Sequence, residues 1–248
     1  MTSDSLARIR VVLCRPSHPG NIGAAARALK TMGLRDLRLV EPKRFPAPEA
    51  QWMASHARDV LDAARVHDSL ASAIGECVAA FALSARPREW SPRVLTLRAA
   101  APLAVQRAAG GPVALVFGNE SAGLTNDEMM ACQFLVHIPA DPGYSSLNLA
   151  QAVQVAAYEV RAAVARPAQS AAHARADKPA TVRDVEGLYA HLEEAAVASG
   201  FLDPADPKKL RERWRRLFSR VELEREEVNI LRGLLRALLA RRENDGAK

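Results

Sequence analysis

Apolar residues along this chain form short unbroken runs in its first two thirds and helix-spaced stripes in its last third. Arg8 to Cys14 (RIRVVLC), Asp36 to Val40 (DLRLV), Cys77 to Ser84 (CVAAFALS), Val113 to Phe117 (VALVF) and Phe134 to Ile138 (FLVHI) have the length and aliphatic content of buried strands, and Ala64 to His67 is a weaker one. Helical stretches separate them: Ile22 to Met32, Glu49 to Ala57, Leu70 to Gly75, Leu97 to Ala108 and Asn126 to Cys132. A Pro-flanked loop from Ala85 to Pro92 and a Gly/Ser loop from Pro142 to Ser146 interrupt the alternation, and a long helix from Leu147 to about Ala165 follows. Strands that alternate with helices and are apolar throughout predict an α/β fold with a parallel sheet flanked by helices.

Arg166 to Ala180 (RPAQSAAHARADKPA) has no apolar periodicity and reads as a linker. The chain therefore divides into residues 1–165, a linker 166–180, and a small all-α extension 181–248. Thr181 with Asp184 has the spacing of a capping box, Asp standing in for Glu, and Leu188, Leu192, Ala195 and Ala196 continue an apolar stripe. Asp206 and Pro207 read as the start of a second helix with Leu210, Trp214, Leu217 and Val221 on one face, Trp214 belonging to the core. A third helix spans about Glu224 to Arg242.

Charge changes the picture of that extension. Lys208, Lys209, Arg211, Arg213, Arg215, Arg216 and Arg220 stand against Glu212 alone, a local excess equal to the +6 of the whole chain. An excess gathered in one helix points to a polyanion rather than to solubility, and these seven residues are the candidate contacts for nucleic acid. Aromatics are only 5% of the chain, too sparse for a single-strand stacking platform. No window approaches the ~18 uninterrupted apolar residues of a membrane span. Met1 to Ala7, which includes Asp4, does not make a secretory signal, so the expected location is cytoplasmic, with no membrane partner. Cys14, Cys77 and Cys132 are odd in number, far apart and set in apolar sequence, which predicts reduced, buried thiols. The six histidines (18, 56, 67, 137, 173 and 191) include no pair spaced for zinc, and no metal is expected.

Three Gly-containing loops leave the carboxyl ends of strands, where open parallel sheets bind ligands: His18 to Gly33 (HPGNIGAAARALKTMG), Phe117 to Glu128 (FGNESAGLTNDE) and Ile138 to Val153 (IPADPGYSSLNLAQAV). In this order and spacing they resemble the SPOUT class of RNA methyltransferases, in particular the TrmH-like branch of ribose 2′-O-methyltransferases. The first motif matches at Asn21 and Arg27, the second at Gly118, Glu120, Gly123 and Leu124, the third at Ser146, Leu147 and Asn148. Beyond the linker, LYAHLEEA, RWRRLFSR and VNILRGLL resemble the tail of those branch members that methylate the ribose of nucleotide 32 in the tRNA anticodon loop. The resemblance implies a trefoil knot at the carboxyl end of the catalytic domain, S-adenosylmethionine as methyl donor, tRNA as substrate and a homodimer. It places the cofactor against Leu83, Ser84, Ala85, Gly118, Ile138, Ser145, Ser146 and Leu147. Asn119 and Ser121 depart from the residues common at their positions, so no role carries over to their side chains.

Methyl transfer to a ribose hydroxyl is mainly a problem of positioning. Glycines 118, 123 and 143 are expected to let backbone approach a bulky ligand. In the resembled branch the arginine at position 27 is essential. A guanidinium has no acceptor and a pKa above ~12, so a planar clamp on substrate phosphate suits it better than the role of base. Asn21, Ser146 and Asn148 are suited to orienting the ribose or Arg27, and Glu120 to anchoring its loop. The same residues can also serve as caps, Asn21 for the first helix and Ser146 and Asn148 for the last. Two other functions fit parts of the sequence. Gly20, Gly23 and Ala26 after a strand, with Glu41 ending the next, imitate the fingerprint of a dinucleotide-binding oxidoreductase, and a silent RNA-binding adaptor could keep the fold without turnover.

Overall fold

The computed structural model describes residues 3–85, 92–165, 178–221 and 223–246. Residues 86–91 of the Pro-flanked loop, and residues 166–177 of the expected linker with His173, lie outside them. Seven strands form one sheet: β1 (Ile9–Cys14), β2 (Asp36–Val40), β3 (Arg65–His67), β4 (Ala79–Leu83), β5 (Arg93–Thr96), β6 (Val113–Phe117) and β7 (Phe134–His137). Their order is β3-β2-β1-β6-β4-β7-β5, and every pairing is parallel. Leu13 and Leu83 both pair with Phe117, and Leu83 also pairs with Val136, so the carboxyl ends of the four central strands are level.

The unbroken apolar runs follow from burial on both faces. Side chains of Ile9, Val11, Leu13, Phe81, Leu115 and Phe117 enter one core, covered by α2 (Pro19–Met32), α3 (Pro48–Ala54), α4 (Arg58–Asp62), α6 (Leu97–Arg107) and α8 (Leu149–Ala165). Their neighbours Val12, Cys14, Ala80, Ala82, Val116 and Leu135 enter the other, covered by α5 (Leu70–Ile74) and α7 (Asn126–Met130). All three cysteines are buried and free, as expected. Two buried strand positions are charged. Arg10 and Arg38 are buried, and both reach Asp36, with Arg10 also 3.0 Å from Glu76 and bonded to the carbonyl of Ala73. Paired and hydrogen-bonded, two cations are tolerated where an unpaired one would not be.

Several boundaries differ from the sequence expectation. The first major helix starts at Pro19 rather than Ile22, because proline at the first turn needs no hydrogen-bond partner for its nitrogen. Strand β5 falls in the gap between the Pro-flanked loop and the helix expected from Leu97; it is a four-residue edge strand on β7, too short and too exposed to leave a pattern. A short α1 (Ser3–Ala7) precedes β1.

The last third forms α9 (Val182–Ser199), α10 (Leu210–Phe218) and α11 (Arg225–Gly246). Thr181 and Asp184 make the expected capping box. Leu188 and Val228 centre a small core with Leu192, Phe218, Leu231 and Leu235. Helix α10 begins three residues later than expected, with Lys209 rather than Asp206 as its N-cap, and the stripe read for it is shifted. Phe218 packs inward, Trp214 is half-buried, and Leu217 and Val221 are 53% and 51% exposed. The end of the expected linker is ordered: Ala180 donates to Leu223, and Arg225 donates to Lys178. Val182 enters the second sheet core, and its amide and that of Arg183 bind the carbonyls of Cys77 and Gly75 just before β4.

The contact of α2 with α3 sets the position of the first motif. A methyl group on Gly23 would lie 1.9 Å from the carbonyl oxygen of Ala50, a backbone atom that cannot turn aside. Gly23→Ala is therefore expected to lower stability by about 1–3 kcal/mol or more. Gly233→Ala, in open space on α11, is expected to gain about 0.5–1 kcal/mol. Denaturant midpoints for the two variants check both signs.

Candidate active site

Where β4, β6 and β7 end, the departing chains enclose a cleft of about 840 Å³, counted out to its open mouth. Leu83, Ser84 and Ala85 form one side, Phe117 to Leu124 a second, and Ile138 with Ser145 to Leu147 a third. All the residues expected to hold the cofactor thus line one cavity.

The second motif loop closes on itself. Asn119 and Gly123 exchange backbone hydrogen bonds of 3.2 and 2.8 Å, and Gly123 has φ +70°. A Cβ on Gly118 would lie 2.1 Å from the carbonyl carbon of Gly123. Both glycines are required by the loop's own backbone, which corrects the expectation that they mainly make room for a ligand. Asn119, left without a role by the sequence, organises the turn. Its Oδ1 accepts from the amides of Ser121 and Ala122, and its Nδ2 donates to the carbonyl of Arg15 at 2.7 Å.

Glu120 points from this loop toward the first motif. Its Oε2 accepts from the amide and hydroxyl of Ser17 at 2.8 and 2.7 Å, and its Oε1 from the amide of His18 at 3.1 Å and from Asn21 Nδ2 at 2.9 Å. Burial alone would raise its pKa, but the donors of Asn21 and Ser17 outweigh it and hold the carboxyl down to about 2. Asn21 Oδ1 in turn accepts from Asn148 Nδ2 at 3.0 Å. Asn148 Oδ1 accepts from the amides of Ala150 and Gln151 and so caps α8. Asn21 lies inside α2, whose N-cap is His18, so its side chain is free for the network rather than spent on capping. One chain of hydrogen bonds therefore joins all three motif loops.

The remaining expected site residues take no part in this network. Ser146 lines the cleft and is exposed. Arg27 is exposed on α2 and does not line it. Six helical residues carry it about 9 Å along the axis from Asn21 and onto another face. Among the basic residues, Lys208, Lys209, Arg211, Arg213, Arg216 and Arg220 are exposed, Arg211 being paired with Glu193. Arg215 is a correction. Both its Nη atoms engage Glu186, one also donates to the carbonyl of Met130 at 3.2 Å, and the guanidinium lies 4.8 Å from the ring centre of Tyr189. Turned inward, it ties α10 to the end of α7 rather than facing solvent. Among the described residues, no three His, Cys, Asp or Glu side chains gather as a metal site, and no helix is long and apolar enough to cross a membrane.

Replacing Glu120 with Gln would turn an NH₂ group toward at least one pair of these donors. A loss of about 1–3 kcal/mol at pH 7 is expected from donors left without an acceptor. With a folded pKa of about 2 against an ordinary 4.5, the carboxylate's contribution is complete above 4.5 and fades as pH falls toward 2. Thermal unfolding of wild type and Glu120→Gln should accordingly differ less at pH 3 than at pH 7.

Residues 8–158 match the SpoU rRNA Methylase family, and residues 183–247 match the C-terminal domain of the tRNA methyltransferase TrmJ. The tRNA (cytidine/uridine/adenosine-2′-O-)-methyltransferase TrmJ of Pseudomonas aeruginosa is 48% identical over 239 residues, covering 93% of each chain. The tRNA (cytidine/uridine-2′-O-)-methyltransferase TrmJ of Cronobacter sakazakii is 44% identical, covering 94% of this chain and 96% of its own. The crystal structure of TrmJ from Z. mobilis superposes with a TM-score of 0.81 at 34% identity, over 94% of this chain and 99% of the other. With its three-loop cleft and its matched helical tail, this chain belongs to the SpoU methylase family and, within it, to the TrmJ methyltransferases.

Proposed function

We propose that this protein transfers a methyl group from S-adenosylmethionine to the ribose 2′-hydroxyl of nucleotide 32, cytidine or uridine, in the tRNA anticodon loop. The observation that carries the proposal is the network from Ser17 through Glu120 and Asn21 to Asn148, which ties the first motif loop to the two motif loops that line the cleft. The names of the relatives, tRNA 2′-O-methyltransferases aligned over nearly the full length, support the substrate class. Neither a dinucleotide-binding oxidoreductase nor a silent adaptor gives all three loops a role.

The cleft suits S-adenosylmethionine by its chemistry. Leu83, Ile138 and Leu147 offer apolar surface beside the polar backbone of the loop around Gly118, the mix of contacts typical of small-molecule sites. When bound, the cofactor supplies a methyl group activated on a sulfonium. Glu120 is a positioning residue rather than a base: its oxygens already accept four close hydrogen bonds and its pKa is about 2. Ser146, which lines the cleft, and Asn148, two residues on, orient the ribose. Arg27 clamps substrate phosphate with its planar fork.

Arg27 lies outside its own chain's cleft, which suggests that a second copy completes the site. Trp52, Met53, Tyr144 and Tyr158 are 74%, 51%, 83% and 55% exposed on α3, the third loop and α8, large apolar groups that a homodimer could cover. In this reading residues 1–165 are the catalytic domain, with the loop from Ile138 to Asn148 threaded as a trefoil knot. Residues 166–180 are the linker and 181–248 the tRNA-binding extension. The outward cations of α10 hold RNA phosphates, and a tRNA substrate implies work in the cytoplasm.

Purified protein with labelled S-adenosylmethionine is expected to methylate an unmodified tRNA transcript once. Alkaline hydrolysis should leave one resistant step, at nucleotide 32, because 2′-O-methylation removes the nucleophile that cleaves the next phosphodiester. Deoxyribose at that nucleotide should abolish transfer. Label on a base would refute the ribose assignment, and preference for NAD over S-adenosylmethionine in binding would refute the cofactor. Arg27→Ala should abolish transfer while shifting stability by less than about 0.5 kcal/mol, as exposed helix substitutions do, which thermal unfolding checks.

A further inference from the structure

Arg15 is absent from the motifs, yet it is the residue on which two of the loops meet. It follows β1 directly with φ +48°, a left-handed conformation that a residue with a Cβ rarely adopts and that persists only where surroundings over-determine it. Its amide donates to Val40 of β2 at 2.7 Å, and its carbonyl accepts from Asn119 of the cleft wall at 2.7 Å. Its guanidinium grips both carboxylate oxygens of Glu128, with 2.9 Å from Nη2 to Oε2. Glu128 is itself buried and closes the capping box of α7, Oε2 accepting from the amide of Thr125 at 2.7 Å.

Two and three residues after Arg15 come the amides of Ser17 and His18, which Glu120 accepts. One short turn is thus held by two carboxylates, Glu120 within the cleft wall and Glu128 just beyond it in α7. Were only Glu120 present, the turn could swing with the loop it is meant to fix. The second clamp anchors it to α7 and, through Met129, to the sheet core.

We propose that Arg15 is a positioning residue for methyl transfer: clamped on Glu128, it fixes the turn of residues 15–18 and through it the wall against which S-adenosylmethionine lies. The proposal rests on the methyltransferase reading above. Arg15→Lys keeps the positive charge against Glu128 but not the two-pronged fork, and so separates geometry from charge. Arg15→Gly accepts the left-handed backbone freely and removes the clamp altogether.

Equilibrium binding of S-adenosylmethionine, binding of tRNA, thermal unfolding and amide hydrogen exchange are to be measured on the full-length wild type and both variants. Arg15→Lys should unfold cooperatively near the wild-type temperature and bind tRNA unchanged. Its Kd for S-adenosylmethionine should rise on the order of tenfold, and further in Arg15→Gly, since small misplacements at a site cost up to about a hundredfold. Exchange at the amides of Ser17 and His18 should quicken in both variants while that of Val11 to Leu13 stays slow. Wild-type cofactor affinity and wild-type protection of Ser17 and His18 in folded variants would overturn the proposal. Loss of the cooperative transition in both would also overturn it, by making Arg15 a determinant of the fold. A wild type that fails to bind S-adenosylmethionine would sink the functional reading instead, while the exchange at Ser17 and His18 still decides whether Arg15 sets the turn.

Discussion

The carboxylate of Glu120 is the interaction on which the site depends. Two backbone amides, a hydroxyl and a side-chain amide converge on its oxygens, from a turn about a hundred residues earlier in the chain. Charge-assisted hydrogen bonds are about twice as strong as neutral ones, and an ionised carboxylate can accept all four at once where a carboxamide cannot. The constraint passes along Asn21 to Asn148, and hence to the first turn of α8. Loops that would otherwise move separately become one wall. For a reaction whose barrier falls mainly through alignment, that rigidity is the larger part of what the protein has to supply.

The sheet makes such convergence possible. Because both faces are buried, strand register is fixed by two cores, and the carboxyl ends of β1, β6, β4 and β7 come out level. Loops springing from level ends start close enough to share a carboxylate. Helix packing adds the second condition: Gly23 lets α3 press against α2 near the first motif.

The strands, the three loops and the residues around the cleft were legible because unbroken apolar runs and glycine-marked turns leave a local signature. What was not legible depends on partners far away in sequence. Asn119 looked like a departure from pattern and is the organiser of its turn, a role visible only once Arg15 is seen to lie beside it. Glu128 carried no signal beyond its place at the end of a loop; its clamp on Arg15 spans 113 residues. Arg215 carried the same sequence signal as its basic neighbours, but Glu186 and Tyr189 turn it inward. The stripe on α10 was misread for a related reason: Trp214, Leu217 and Phe218 are all apolar, and only the packing of α9 and α11 selects Phe218. Strand β5 is supported by one neighbour, so tertiary pairing outweighed its weak local preference.

The corrected role of Arg215 also bears on how the two parts of the chain cooperate. Its bond to Met130, and those of Val182 and Arg183 to Cys77 and Gly75, place the extension beside the amino ends of β7 and β4. The cleft lies at the carboxyl ends of the same strands. Five residues of β4, at ~3.3 Å each, separate the two ends by about 17 Å. A ligand small enough to fill the cleft cannot touch the basic helix of the same chain. Only an extended polyanion, lying along the length of the strands or reaching the cleft of a second copy, engages both. The separation thus turns the local charge of α10 into an argument about ligand size: a small molecule in the cleft is out of reach of that helix.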